Sequence, residues 1–245
     1  MRTLYQFPIS HYCEKTRWHL DHKGLDFQVD NLFPGLHRLK SKRLAGIVTL
    51  PILQDGDRII GDSTQIALYL EERYPERPLL PTDAAQRADV LALEEQFDRL
   101  GVHVRRWLYG QIKQWDSVMH AMLKVYRPLL GLRDLMKPVL INGVQKLYGV
   151  TPQRVAKSQA ELLEGLALIE SRIHGDPSRY LVGEQLTLAD ISAAALFAPL
   201  FTPAGTPWEG VAGHDDKTQA FLDELHAHPA GQWVLRRYAE DRQRR

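Results

Sequence analysis

The chain reads as a mixed α/β unit followed by an all-helical half, and three observations predict that division. Up to about residue 80, short apolar runs alternate with helical spacings, the pattern of strands interleaved with helices. Beyond residue 84, apolar residues recur every three or four positions over long stretches, as on the buried faces of core helices. Between the two, Pro75, Pro78 and Pro81 punctuate a linker. The expected domains are therefore residues 1–80 and 84–245.

Taken in order, Thr3 to Phe7 predicts a first strand, and Glu14 to Lys23 a helix stopped by Gly24, a residue free to adopt the left-handed conformation. Phe27 to Asp30 predicts a second strand. Pro34 to Ala45, with His37, Arg38, Lys40, Lys42 and Arg43, is placed only as loop or brief helix. Pro51 to Gln54 and Arg58 to Ile60 flank Asp55-Gly56-Asp57, and Asp-Gly between apolar runs predicts an antiparallel hairpin. Asp62-Ser63 opens a helix carrying Ile66, Leu70 and Tyr74, which ends before Pro75.

In the second half, Val90, Leu93, Phe97, Leu100, Val104 and Leu108 predict one buried face of a long helix, with Gly101 expected to bring another backbone close. Trp115 to Val150, broken by Pro128, Pro138 and several glycines, is expected as two short helices. Thr151-Pro152 supplies an N-cap and a first-turn proline for a helix buried through Val155, Leu162, Leu166, Ile169 and Ile173. Thr187, with Asp190 three residues on, resembles a capping box, which explains Asp190 without a catalytic role.

Composition excludes several classes. With 44% hydrophobic and 25% charged residues, the 245-residue chain fits neither disorder nor a fibrous repeat. Its 31 basic and 30 acidic side chains leave +1, no bulk field for nucleic acid or an anionic membrane. A single cysteine, Cys13, rules out an internal disulfide and a thiolate zinc cluster, so no metal is expected and a reducing cytoplasm is the expected setting. No signal-peptide pattern stands at the start, and the longest apolar run, Ile191 to Phe201, is too short to span a bilayer. Arg242, Arg244 and Arg245 read as a frayed basic tail.

Three places carry chemistry. Ser10 to Arg17 lies between the first strand and first helix, where exposed N–H groups and the helix dipole favour an anion such as a thiolate. Ser10 can donate to such a sulfur, and Cys13 follows one turn later; equally, Ser10 is only a cap and Cys13 a small buried hydrophobe. Leu50-Pro51, at a strand entrance, suits a cis turn that leaves main-chain groups free for an extended ligand. Asp62-Ser63 offers a carboxylate and a hydroxyl at a helix N-terminus, suited to an ammonium and a carboxylate, although Asp-Ser is also an ordinary helix start. Together the three would fit a zwitterionic peptide.

These residues resemble the glutathione transferase superfamily over nearly the whole chain. The resemblance is carried by Ser10-x-x-Cys13-x-Lys15-x-Arg17, Leu50-Pro51, Asp62-Ser63-x-x-Ile66-x-x-Tyr69-Leu70 and Leu186 to Asp190, in the family's order. It implies a thioredoxin-like N-terminal domain followed by an all-α domain. It also implies a soluble homodimer that takes glutathione as cosubstrate and transfers it to a hydrophobic electrophile, as in detoxification. By that resemblance Ser10 holds the glutathione sulfur as thiolate, Leu50 and cis Pro51 pair with its cysteinyl part, and Asp62 and Ser63 bind its γ-glutamyl end. His37 or Lys40 approaches its glycine carboxylate, and Tyr109 and Trp115, near Arg105, Arg106 and Trp107, border the electrophile pocket. Pro199 to Trp208 is expected as another wall.

Departures from the family pattern shape the reading. His11 stands where many relatives have proline, and Ser10 replaces the first cysteine of a glutaredoxin-like CxxC, which removes a dithiol cycle and favours conjugation over thiol reduction. The Ser-Ser-Cys pattern of the maleylacetoacetate isomerase class is absent, so no class is assigned. Two rivals remain: a noncatalytic binding module on the same fold, and glutathionyl transfer through Cys13.

Overall fold

The computed structural model describes residues 1–33, 35–126 and 131–242. Strand β1 (Arg2–Gln6) leads through helix α1 (His11–His22) to the parallel strand β2 (Gln28–Asn31), followed by α2 (His37–Ala45). Strands β3 (Ile52–Asp55) and β4 (Arg58–Gly61) form the expected antiparallel hairpin and complete a four-stranded sheet of order β2-β1-β3-β4. The turn sits one residue later than Asp-Gly suggests. Asp55 pairs with Arg58, so Gly56 takes the first central position with φ +60°, open to glycine at no steric cost. Leu4 and Leu53 face each other across the sheet and pack with Leu20 of α1 and Ile66 and Leu70 of α3 (Ser63–Arg73).

Two early elements differ from expectation. Helix α1 begins at His11 rather than Glu14, because the Ser10 hydroxyl accepts from the Cys13 N–H at 3.4 Å and closes the first turn. The basic segment before Ile47 is a true helix, α2, stopped by Gly46 at φ +73°. Pro34, where that segment was expected to start, lies outside the described residues.

The helical half begins with α4 (Ala84–Gln111), capped by Asp83, whose carboxylate accepts from Gln86 N at 2.8 Å. Its predicted stripe, Val90, Leu93, Phe97, Leu100 and Val104, is buried against α7 (Pro152–Ile173) and α8 (Leu188–Phe201). Two helices lie between α4 and α7, as expected, α5 (Asp116–Leu123) and α6 (Arg133–Tyr148), but α6 is not short and runs 16 residues through Pro138, where a break is expected; Pro128 lies outside the described residues. Helices α9 (Asp216–Ala227) and α10 (Pro229–Glu240) complete the ten helices among the described residues.

Helix α8 is apolar all round and buried along its whole length, the behaviour of a central core helix. No helix among the described residues is long and apolar enough to cross a membrane. Asp190 does cap α8. Its carboxylate accepts from Thr187 N at 2.7 Å, Thr187 Oγ1 at 2.6 Å and Leu181 N at 2.8 Å. Three donors make this buried acid a structural fastener.

Two polar clusters fix α1 in place. On one side, the fully buried Lys15 ammonium donates to Glu94, to Asp98 Oδ1 at 2.8 Å and to Thr64 Oγ1 at 3.1 Å, joining α1, α3 and α4. A buried cation demands such partners. On the other, Arg242 corrects the expectation of a frayed tail: its guanidinium donates to Glu14 Oε1 at 2.8 Å and Asp21 Oδ2 at 2.6 Å, and lies 5.7 Å from the Trp18 ring. Arg244 and Arg245 lie outside the described residues.

Gly101 sits where α1 and α8 approach α4 most closely. A β-carbon there would stand 2.9 Å from the Tyr12 hydroxyl and 3.1 Å from Leu196. The close neighbours at Gly101 are thus side chains and not the backbone expected there, and the Gly101 carbonyl faces His11 Nε2 at 3.0 Å.

Candidate active site

One cavity of about 790 Å³ opens between the sheet and the helical half, within the roughly 300–1,000 Å³ usual for small-molecule sites. Its polar end comes from loops and helix starts. Ser10 lies at the α1 N-terminus; because its oxygen already accepts from Cys13 N, its own proton is the group left to donate. The Leu50-Pro51 bond is cis, as expected, and both residues line the cavity just before β3. Among the described residues the Leu50 main chain takes part in no loop or sheet hydrogen bond, so it can pair with an extended ligand.

Asp62 and Ser63 stand opposite, at the start of α3. Asp62 adopts φ +73°, an uncommon conformation for a residue with a β-carbon. Its Oδ1 caps α3, accepting from Thr64 N at 2.9 Å and Gln65 N at 3.1 Å, which leaves Oδ2 for another donor. Ser63 is buried, and its hydroxyl has no hydrogen-bond partner among the described residues. A buried hydroxyl without a partner costs about 1–3 kcal/mol, which an acceptor brought by a ligand would recover. A carboxylate beside a hydroxyl at a helix start suits an amino-acid head group.

The other sequence candidates separate. His37 lines the cavity, its Nδ1 accepting from Gly35 N at 3.1 Å. Lys40 does not: it points away, to Asp30 at 2.6 Å and over the Tyr5 ring, and Arg38 lines the cavity instead. Cys13 is fully buried outside the lining, where Phe7 N–H reaches its sulfur at 3.5 Å and burial pushes the thiol pKa up. A raised pKa and no access are the reverse of what a reactive thiol needs.

Tyr109 lines the cavity, whereas Trp115 is buried behind it, stacked on the Tyr109 ring at 5.9 Å. Of their neighbours, Arg105 lines the cavity; Arg106 turns to Tyr148 O at 2.8 Å, and Trp107 sits in the core. Pro199 and Trp208 contribute the expected further wall, with Trp208 Nε1 donating to Ile9 O at 3.1 Å.

Further residues complete the lining. His11 lines the cavity beside Ser10, held neutral by burial and by the nearby Arg105 charge. Asp98 and Val102, for which the sequence offers no candidate role, form with Arg105 and Tyr109 a second stripe on α4, spaced four, three and four residues apart. That spacing is visible in the sequence, but the stronger apolar stripe beside it masks it. Met122 of α5 and Leu140, Val144 and Tyr148 of α6 supply the apolar end, from the segment whose course the sequence left open.

Comparison with known proteins matches this architecture at both ends. Residues 4–78 match the model for the glutathione S-transferase N-terminal domain, and residues 152–232 match that for its C-terminal domain. A glutathione S-transferase of Triticum aestivum is 36% identical over 191 residues, 78% of this chain and 74% of its own. Glutathione S-transferase 1 of Dianthus caryophyllus is 27% identical over 194 residues, 78% of this chain and 73% of its own. Among solved structures, a glutathione S-transferase from Methylobacillus flagellatus KT with glutathione bound superposes with a TM-score of 0.62 at 18% identity, covering 98% of this chain and 95% of that one. With its small mixed sheet, its helical half and matches in both, the chain belongs to the glutathione transferase superfamily.

Proposed function

We propose that the protein is a glutathione transferase that uses Ser10 to hold the glutathione sulfur as thiolate and delivers it to a hydrophobic electrophile in the apolar half of the cavity. The observation that carries this reading is the meeting of two unlike walls in one cavity. Ser10, Leu50, Asp62 and the unpartnered Ser63 face residues of α4, α5 and α6.

In this reading the γ-glutamyl ammonium pairs with Asp62 and its carboxylate takes the Ser63 hydroxyl and the free N–H groups at the start of α3. The cysteinyl segment pairs with the Leu50 main chain, and the glycine carboxylate lies toward His37 and Arg38. The Ser10 hydroxyl donates to the sulfur, and the N-terminal dipole of α1 favours its anionic form. Holding thiolate and electrophile together supplies the remaining rate. Chemistry through Cys13 would require α1 to open, since that thiol is buried beneath it.

Glutathione binding by titration calorimetry, followed by conjugation of an aryl halide, tests the proposal. Wild type should bind and conjugate, and Ser10→Ala should bind with near-normal affinity while the bound thiol titrates at higher pH. Normal binding without conjugation of any electrophile would favour the noncatalytic module. Thiol-transfer activity lost in Cys13→Ser but kept in Ser10→Ala would move the chemistry to the cysteine.

A further inference from the structure

The second stripe on α4 sets a cation into the part of the cavity that the glutathione reading leaves for the electrophile. Arg105 Cζ lies 4.0 Å from the centroid of the Tyr148 ring and 5.6 Å from that of Tyr12, so two aromatic faces hold the guanidinium. Its Nε is buried with no hydrogen-bond partner, and among the described residues no carboxylate lies within ion-pair distance of it. The residues outside the described set include no Asp or Glu. Asp98, two helical turns earlier on the same stripe, is committed to Lys15 at 2.8 Å.

A guanidinium with an unfilled buried donor, in a cavity also lined by apolar Met122, Leu140 and Val144, is matched by one kind of ligand: a planar anion on an apolar body. We propose that Arg105 selects an electrophilic cosubstrate that carries a carboxylate on an aromatic ring. The carboxylate takes the guanidinium fork while the ring lies against Tyr109, Tyr148 and the α5–α6 wall. This rests on the transferase reading above and names the substrate class for that site. Arg105 acts here as a specificity residue, separate from the Ser10 chemistry.

The test compares 4-chloro-3,5-dinitrobenzoate with its methyl ester, each rate divided by that compound's uncatalysed rate with glutathione, because the ester draws more electron density from the ring and is intrinsically the more reactive. In both, the glutathione thiolate forms a C–S bond at the chlorine-bearing carbon and chloride leaves. So normalised, wild-type kcat/KM should favour the acid by about 10-fold or more, and Arg105→Gln should lose about 30-fold on the acid and less than about 3-fold on the ester, the scale of one charged hydrogen-bonded pair. Retained ester turnover also certifies that the variant folds.

Equal rate enhancement of acid and ester by wild type overturns the proposal, as does an equal loss on both in Arg105→Gln, which would give Arg105 to the sulfur or to the scaffold. A second measurement does not depend on turnover. The unreactive 3,5-dinitrobenzoate and its methyl ester are titrated into the glutathione-saturated protein. Tighter binding of the acid, abolished in Arg105→Gln, supports the carboxylate site even if no conjugation is seen, and indifference to charge refutes it. Failure of glutathione itself to bind would instead strike at the transferase reading.

Discussion

The two ends of the cavity are built in opposite ways. The polar end is assembled from short local motifs: a cap at Ser10, a cis turn at Leu50-Pro51 and a helix start at Asp62-Ser63, each fixed by neighbours within a few residues. The apolar end is assembled from residues far apart in the chain, Tyr109 of α4, Met122 of α5 and Leu140 of α6, brought together by packing between helices. The difference teaches that one end can be preserved while the other is re-cut, because changes in α5 and α6 need not disturb the caps and turns opposite.

The largest expected effect tests the polar end. Ser10→Ala should lower kcat by about 100-fold, the usual cost of removing one donor from a developing or resident anion. The pH–rate profile should shift upward, since more of the bound thiol is then protonated at neutral pH. An unchanged rate and profile would remove Ser10 from the mechanism. Next, Asp62→Asn keeps an acceptor for the α3 cap but loses the charge, so glutathione affinity should fall about 30-fold with little change in melting temperature. Calorimetry reading the same affinity in both proteins would disprove the ammonium pairing.

A smaller effect belongs to the apolar end. Leu140→Ala should raise KM for an aryl electrophile by about 10-fold while leaving glutathione affinity within about 2-fold, the signature of a trimmed hydrophobic wall. If glutathione binding fell in parallel, the independence of the two ends would be lost. The smallest effect sharpens the comparison through stability. Burial, with Arg105 nearby, holds the His11 pKa well below its usual range, so the folded state stays neutral while the unfolded state takes up a proton below about pH 6.5. Stability therefore falls as pH drops, by about 1 kcal/mol for this residue between pH 7.5 and 5.5. His11→Gln should flatten that part of the slope in urea titrations at the two pH values.

The same contrast explains what the sequence made legible. Ser10, Leu50-Pro51, Asp62-Ser63 and Thr187 to Asp190 are readable because a cap or a proline turn has its cause next to it in the chain. The start of α1 lies three residues before the expected Glu14 because the His11–Tyr12–Cys13 turn carries no apolar period, only the cap. Trp115 was expected on the cavity, yet the flat stack with Tyr109 puts it behind; sequence gives the aromatic pair but not which face of it is outermost. Lys40 and Arg38 differ by two positions on α2, enough on a helix to turn one toward the cavity and the other toward Asp30. Arg242 looked like a loose end because nothing in the sequence links it to Glu14 and Asp21.

That last link sets an order of events during synthesis. Asp21 and Arg242 are 221 residues apart in the chain, so at roughly 5–20 residues per second the ribosome needs about 10–45 s to supply the cation after the acid has been made. Throughout that interval α1 carries on its outer face an acid whose counter-charge does not yet exist. The clasp that holds the first helix therefore cannot close until the whole helical half up to Arg242 has been made.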